Sequence, residues 1–323
     1  MKNFLSLFIL ILFLACFTNC KPDSKTSEEI GKIPISLEIL RFDTLFWTAK
    51  IEDIPELKRQ YPAFFPQQYP DSLWIQKMQD TLQQQLYLEV FKKFPNEYKL
   101  DQDLEDLFQH IKYYFPQFIT PKVIITTSEV DYRNKIILSN ELLILSLDNY
   151  LGNKHPYYEH IPNYISQNMK ETQITSDIAS VYAQKWIPRS RNRTFLEQMV
   201  YFGKTLYLKD LWLPNNLDSE KIGYTKDEFT WIEENETEVW RNFVENEFMY
   251  STNPKLVTRF INPAPFSKFY LEIDNDSPGM VGRYIGWQIV RSYMKNNKSN
   301  IEKLLTLSAE ELFNQSKYKP KKQ

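Results

Sequence analysis

Histidines are the side chains of this sequence best suited to metal or acid–base chemistry, and two of the three lie close together. His155 and His160 are five residues apart, with Pro156 between them. A zinc-protease helix needs two histidines four residues apart, so that both imidazoles face one metal, and a glutamate between them as base. The spacing therefore fails to give the helical zinc motif. A loop metal site that also uses Asp148 and Glu159 is one hypothesis, and surface or packing histidines are the simpler interpretation.

Two charged segments offer further candidates for chemistry. Glu234 and Glu238 share one face of a predicted helix inside an acidic run, so they could work as an acid–base pair. The alternative is that this run is simply the solvated face of the helix. Arg189, Arg191 and Arg193 follow a proline and open the next predicted helix. They indicate either a solvated turn or a small site for an acidic partner.

Glycine is scarce, with 7 residues in 323, and three of the seven lie between positions 279 and 286. Gly282 and Gly286 fall one turn apart on a predicted helix over 278–296. Each costs about 1 kcal/mol of helix stability relative to alanine, so something requires close backbone approach there. Tight packing of another helix is the favoured explanation, and a ligand or partner pressed against this helix is the alternative.

Several motifs that commonly carry catalysis are absent from the sequence. It contains no Gly-x-Ser-x-Gly elbow, no phosphate loop and no Gly-x-Gly-x-x-Gly, and no cysteine follows residue 20. The formal net charge is −2, so a general nucleic-acid role has no electrostatic support. We expect no cofactor, no metal and no small-molecule substrate.

Hydrophobic periodicity predicts a mainly helical body with a small β-sheet. Aromatic residues make up 15% of the chain, which together with the scarcity of glycine favours packed helices. The predicted strands are 33–42, 123–126, 135–138 and 142–147, with a polar turn over 128–134. The predicted helices are 71–94, capped by Asp71, then 100–115, 162–169, 175–187, 193–211, 226–250, 278–296 and 308–316, with short helices or loops over 53–70. We therefore predict an α+β, mainly α fold with a single globular domain over 33–318.

The N-terminus has the organisation of a bacterial lipoprotein. An apolar run from Phe4 to Phe17 follows one positive charge and is too short to span a ~30 Å hydrocarbon core. We predict a signal peptide over 1–19 and lipid attachment at Cys20, which lies where the polar sequence begins. Cys16 follows a smaller residue and is the alternative. Residues 20–32 have little apolar content, so we predict a flexible tether there.

Several segments of the chain, in order, resemble the gliding-motility lipoprotein B family (GldB) of gliding bacteria. They are residues 147–158 (LDNYLGNKHPYY), 198–204 (QMVYFGK) with 206–208 (LYL), 240–241 (WR), 250–252 (YST) and 278–283 (PGMVGR) with the helix that follows. That family is in turn similar to predicted zinc proteases, which implies a zincin-like scaffold. The helix that matches the metal helix runs through Gln198 to Tyr207 and contains no histidine. The resemblance therefore implies a protease-like body without the metal.

The resemblance also implies a role in surface gliding and in the linked type IX protein-secretion apparatus. We expect a non-catalytic, membrane-anchored lipoprotein that works through contacts with other gliding and secretion proteins of the envelope. Its partners would be those proteins and, through the lipid, a membrane, with the outer membrane favoured. The alternative is an envelope hydrolase that uses a carboxylate or the loop histidines.

Overall fold

The computed structural model describes residues 24–95, 99–139 and 141–321, and the chain divides into two units, residues 1–34 and 35–323. The described part of the first unit holds one helix, Ser24–Ile30 (α1). This helix lies within the predicted tether, whose flexibility stays a prediction. The signal peptide, Cys16 and Cys20 lie outside the described residues.

The second unit contains a four-stranded sheet and fourteen helices in its described residues. The strands are Glu38–Arg41 (β1), Lys122–Thr126 (β2), Ile136–Leu138 (β3) and Leu142–Ser146 (β4). The helices are Phe42–Thr48 (α2), Ile54–Gln60 (α3), Asp71–Gln79 (α4), Thr81–Lys93 (α5), Leu100–Tyr114 (α6), Asn163–Ser166 (α7), Ile174–Trp186 (α8), Phe195–Trp212 (α9), Asp218–Ile222 (α10), Lys226–Glu245 (α11), Pro254–Phe260 (α12), Val281–Asn296 (α13), Ile301–Thr306 (α14) and Ala309–Ser316 (α15). The predicted α+β, mainly α class is confirmed.

The sheet has the strand order β1-β2-β4-β3, in which β1, β2 and β4 are parallel and β3 runs antiparallel at one edge. The central strand β2 is buried on both faces, because Val123 and Ile125 pack into one core cluster and Ile124 into another. Such two-sided burial explains why its sequence is continuously apolar. The polar turn predicted between β2 and β3 does not join a hairpin, since β4 lies between those strands.

Helix α9 is the central helix of the body. It contributes Tyr201, Leu208 and Trp212 to the core cluster that covers the sheet. Its other side contributes Met199 and Val200 to a second cluster with α11, α12 and α13. A helix that buries apolar side chains on more than one face belongs in the interior. Most aromatic and aliphatic side chains of α9 are buried.

Helices α9 and α13 pack through glycine. A Cβ atom added to Gly286 would lie 1.9 Å from the carbonyl oxygen of Met199, and one added to Gly203 would lie 2.3 Å from the carbonyl oxygen of Gly286. A Cβ on Gly282 would lie 2.9 Å from the carbonyl oxygen of Phe260. The predicted close packing at Gly282 and Gly286 is confirmed, and Gly203 is a third contact that we had not singled out.

Several predicted boundaries are wrong for local reasons. The strand predicted over 33–42 is limited to Glu38–Arg41, where it pairs with β2. The helix predicted over 71–94 is two helices, because the Asp80 carboxylate accepts hydrogen bonds from the amides of Leu82 and Gln83 and so starts α5. Asp71 does not cap α4, since Pro70 holds the capping position and Asp71 lies in the first turn.

Two long predicted helices are also shortened by left-handed backbone. The helix predicted over 226–250 ends at Glu245, shortly before Glu247, whose φ is 55°. The helix predicted over 278–296 begins only at Val281, because Met280 has a φ of 59°. Neither conformation continues an α-helix. Over the described residues, no helix has both the length and the apolar character to cross a bilayer.

Candidate functional site

The second unit contains a cleft of about 360 Å³ with a strongly cationic lining. The segment before β3 and the helices α7, α8, α9, α10 and α13 all contribute to it. The charged residues in its wall are five cations and one anion, namely Arg133, Lys135, Lys209, Lys221, Arg283 and Asp177. Apolar side chains complete the wall, among them Phe202, Leu206, Ile222 and Met280. The cleft therefore combines an excess of positive charge with apolar surface.

Lys209 is presented to the cleft by the buried helix α9, and only 5% of the residue is exposed. Its Nζ donates to the Ser176 hydroxyl at 2.9 Å and to the Lys221 carbonyl at 2.7 Å. Burial lowers the pKa of Lys209 from 10.5 to about 7; Asp177 opposes this change, whereas Arg283 and other nearby cations add to it. The cleft thus contains an amine that can gain or lose a proton near neutral pH.

Arg283 lies in the first turn of α13. Its Nε donates to the Ile261 carbonyl at 2.7 Å, and its guanidinium lies 4.0 Å from the centroid of the Phe202 ring. Burial lowers the pKa of Arg283 to about 10. Three residues earlier, Met280 has a φ of 59°, in the left-handed region that residues other than glycine rarely adopt. Such conformations persist only where the surroundings hold them, and they occur often at functional sites.

Asp177 forms an ion pair with Lys135 in the same cleft. Lys135 Nζ lies 2.5 Å from Asp177 Oδ2, and the hydroxyl of the buried Tyr150 donates to that oxygen at 3.0 Å. The Lys135 ammonium also lies 5.2 Å from the centroid of the Tyr150 ring. Two partners therefore satisfy the single carboxylate of the lining and hold it in place.

Lys221 is also balanced by carboxylates. Its Nζ lies 3.1 Å from Asp210 and 3.2 Å from Asp218. Arg291 pairs with the same two aspartates at 2.7 Å each, and the Trp287 indole N–H donates to Asp210 at 2.9 Å. This group of two acids and two bases is electrically neutral. It leaves the buried Lys209 and the half-buried Arg283 as cations of the cleft whose hydrogen bonds, in the described part of the chain, go only to neutral oxygen atoms.

The loop histidines and Asp148 do not form a metal site. Asp148 is fully buried, and its carboxylate accepts from the amides of Ser128 at 3.0 Å and Val130 at 2.6 Å. Burial raises the pKa of Asp148 to about 6, although these donors act to lower it. His155 instead faces Glu89, at 3.4 Å between Nε2 and Oε2. Within the described ranges, no three His, Cys, Asp or Glu side chains are placed to hold a metal ion.

The acidic run on α11 contains one buried member that the sequence did not single out. Glu236 is only 2% exposed and accepts hydrogen bonds from the hydroxyls of Tyr284 and Tyr318, at 3.2 and 2.8 Å. Glu238, by contrast, pairs with Arg241 at 2.7 Å on the exposed face. The acid–base hypothesis for Glu234 and Glu238 therefore gains no support, and Glu236 ties α11 to α13 and the C-terminal segment.

The arginine segment before α9 lies at the surface. Arg189, Arg191 and Arg193 are exposed, and the guanidinium of Arg189 lies 5.2 Å from the centroid of the Tyr201 ring. None of the three lines the cationic cleft. Their position is that of a solvated turn leading to Thr194, whose hydroxyl accepts from the Glu197 amide and starts α9.

The protonation of Lys209 gives the folding stability a definite pH dependence. Between pH 7 and 10.5 the unfolded chain binds a proton at this residue that the folded protein has released. The free energy of unfolding should therefore rise with pH across this window, by at most about 1.4 kcal/mol per pH unit from this group. Below about pH 7 the Lys209 amine is charged in both states, and the cost of burying that charge lowers the free energy of unfolding by its full amount.

Urea unfolding at a series of pH values, in a buffer without carboxylates, measures this contribution. Lys209→Met should reduce the slope of stability against pH between 7 and 10. The matched control is Lys295→Met, because Lys295 is exposed on α13, and it should keep the wild-type slope. Equal slopes in all three proteins would show that Lys209 titrates normally.

Sequence reasoning missed both central cations of the cleft. Lys209 stands between Leu208 and Asp210 in a predicted helix rich in aromatic and aliphatic residues, and that pattern does not show whether its side chain is solvated or buried. Arg283 lies in the predicted helix 278–296, where the two glycines indicated close packing and the arginine gave no separate signal. The cleft depends on elements that are separated in sequence, so periodicity could not have joined these two residues.

Comparison with known proteins gave one match. A family model described as gliding motility protein GldB matches residues 23–320. Neither the curated proteins nor the solved structures gave a significant match. The family match spans most of the chain and includes every residue of the cleft.

Proposed function

The chain belongs to the gliding motility protein GldB family, and from that premise we propose that it is a lipid-anchored envelope protein supporting gliding through contacts with other proteins. In this proposal it also supports the linked type IX secretion machinery and performs no catalysis. The match over residues 23–320 is the observation that carries the proposal. The lipoprotein-like N-terminus supports the anchoring, and we favour the outer membrane.

The cleft supports a binding role more than a hydrolytic one. Hydrolysis of a peptide requires an activated nucleophile or a metal-bound water, and a base within reach of it. Five of the six charged groups that line this cleft belong to lysine or arginine, whose charges hold anions. The family resemblance to predicted zinc proteases leaves a zincin-like scaffold as a further proposal, in which a former protease body has become a binding module.

Affinity capture tests the proposed function. Tagged full-length protein, cross-linked in cells and purified from their envelopes, should recover components of the gliding and secretion machinery. An unrelated tagged lipoprotein of similar abundance is the control. A strain lacking the gene should lose gliding. If that strain glides and secretes normally, or if capture recovers nothing beyond the control, the proposed function is wrong.

Lipid attachment gives a separate prediction. Cys20→Ala should abolish incorporation of a labelled fatty acid and release the protein from the membrane fraction, because Cys20 lies where the apolar run gives way to charged sequence. Cys16→Ala is the matched control and should keep both label and membrane association. The opposite pattern would place the lipid on Cys16.

A further inference from the structure

Three cations of the cleft form no ion pair within the described residues: Arg133, Lys209 and Arg283. Arg133 is exposed to solvent, whereas Lys209 is buried and Arg283 is half-buried. Lys209 donates to a hydroxyl and a carbonyl, and Arg283 donates to a carbonyl. The other cations that surround Lys209 have carboxylate partners, since Asp177 pairs with Lys135 and the aspartates of the neutral group pair with Lys221. Burying a charge without a partner is costly. An anion that enters the cleft would remove that cost.

We propose that the cleft binds a carboxylate carried by a partner protein, with Arg283 and Lys209 as its two cationic contacts. This inference rests on the proposed function, because it gives the chemistry of the contact through which the protein would act. The carboxylate could end a polypeptide chain or belong to an acidic side chain. Both sources share the same planar anion.

The geometry of Arg283 suits a carboxylate. A guanidinium presents its N–H donors in a planar fork that matches the two oxygens of a carboxylate. The Nε donor is already used by Ile261, and no acceptor among the described residues is bonded to the Nη atoms. The guanidinium also lies 4.0 Å from the centroid of the Phe202 ring, a cation–π contact that restricts its movement. Arg283 is therefore held ready for a planar anion.

The charge of the cleft favours a singly charged ligand. Asp177 also lines the cleft and would repel a dianion such as sulfate more strongly than a carboxylate. Apolar side chains beside the cations, including Leu206 and Ile222, provide a surface for an aliphatic or aromatic neighbour of the carboxylate. A volume of about 360 Å³ lies near the lower end of the usual ligand-pocket range. It suits one or two residues of an inserted segment.

Protonation of Lys209 should couple binding to pH. The charged groups that face Lys209 are Asp177 on α8, Lys135 before β3, Lys221 on α10 and Arg283 on α13. Because the pKa of Lys209 is about 7, the amine is largely charged at pH 6 and largely neutral at pH 8.5. An anion stabilises the charged form, so binding should be tighter at the lower pH.

Calorimetry on the full-length protein in detergent tests the proposal with four probes. The probes are N-acetyl-Leu-Phe with a free terminal carboxylate, its terminal amide, N-acetyl-Leu-Glu-Leu-amide, and sulfate. At pH 6 at least one carboxylate peptide should bind, and at least tenfold more tightly than the uncharged amide. The two carboxylate probes distinguish a chain terminus from an acidic side chain. Affinity should fall at pH 8.5.

Variants of the full-length protein separate binding from folding. Arg283→Gln should lower the affinity for the carboxylate peptide at least tenfold, and Arg283→Lys should lower it less. Arg193→Gln changes an exposed residue and is the control, which should bind the peptide with wild-type affinity. If Arg283→Gln does not fold, Lys209→Met should still lower affinity and remove the pH dependence. Equal binding of acid and amide, unchanged affinity in a folded Arg283→Gln variant, or tighter binding of sulfate than of either carboxylate peptide would each overturn the proposal.

The result also separates this inference from the proposed function. If neither carboxylate peptide binds while affinity capture still recovers gliding proteins, the carboxylate site is wrong and the contact function stands. If a carboxylate peptide binds but the gene is dispensable for gliding, the site stands and the proposed function fails.

Discussion

Replacing Gly286 with alanine should destabilise the folded body by roughly 3 kcal/mol, the upper end of the usual cost of overpacking a core. The added Cβ would lie 1.9 Å from the carbonyl oxygen of Met199, and this atom belongs to the backbone of α9. A side chain could rotate away from such a contact, but a buried helix backbone can only shift as a whole. Urea unfolding followed by circular dichroism should show a lower midpoint with little change in slope.

A matched control on the same helix makes this result specific. Lys295 is exposed on α13, so Lys295→Ala should change stability by no more than about 0.5 kcal/mol. Gly203→Ala should be costly like Gly286→Ala, since its Cβ would lie 2.3 Å from the carbonyl oxygen of Gly286. If Gly286→Ala unfolds at the wild-type urea concentration, α9 and α13 do not pack as described.

Replacing Asp210 with asparagine should cost about 3 kcal/mol, because removing one member of a buried ion pair leaves the others uncompensated. Asp210 pairs with Lys221 and Arg291 and accepts the indole N–H of Trp287. Its side chain is 16% exposed and that of Lys221 is 6% exposed, so solvent screening is limited. Asparagine keeps the shape of the side chain and removes only its charge.

An exposed ion pair supplies the comparison for Asp210→Asn. Glu238 and Arg241 are both more than half exposed, at 52% and 54%. Glu238→Gln should therefore cost less than about 1 kcal/mol. Thermal or urea unfolding of both variants tests the difference. Similar small effects would mean that water enters the Asp210 group and screens its charges.

The sequence predicted the fold best where hydrophobic periodicity was long and undisturbed. Helix 100–115 was predicted within one residue of the observed Leu100–Tyr114, and strand 123–126 within one residue of Lys122–Thr126. Short helices such as Asp218–Ile222 contain too few turns for a period to be recognised. The strand order was also beyond local patterns, because periodicity does not show which strands pair, and β4 pairs with β2 as well as with β3.

The candidate site was predicted less well than the fold. The glycine pattern correctly indicated close helix packing at Gly282 and Gly286. The histidines drew attention to a loop in which His155 faces Glu89 and Asp148 instead supports a tight turn. The residues that define the cleft became visible only through burial, because an arginine or lysine on a helix is usually solvated.

Gliding speed in cells carrying a single altered gene copy tests most directly whether the protein works through a binding cleft. Two strains should be compared with wild type at equal amounts of folded, membrane-bound protein: Arg283→Gln, and the double variant His155→Gln with His160→Gln. We expect Arg283→Gln cells to lose most of their gliding and the histidine variant to glide normally. The opposite pattern, normal gliding in Arg283→Gln and loss in the histidine variant, would contradict the contact function and favour the envelope hydrolase.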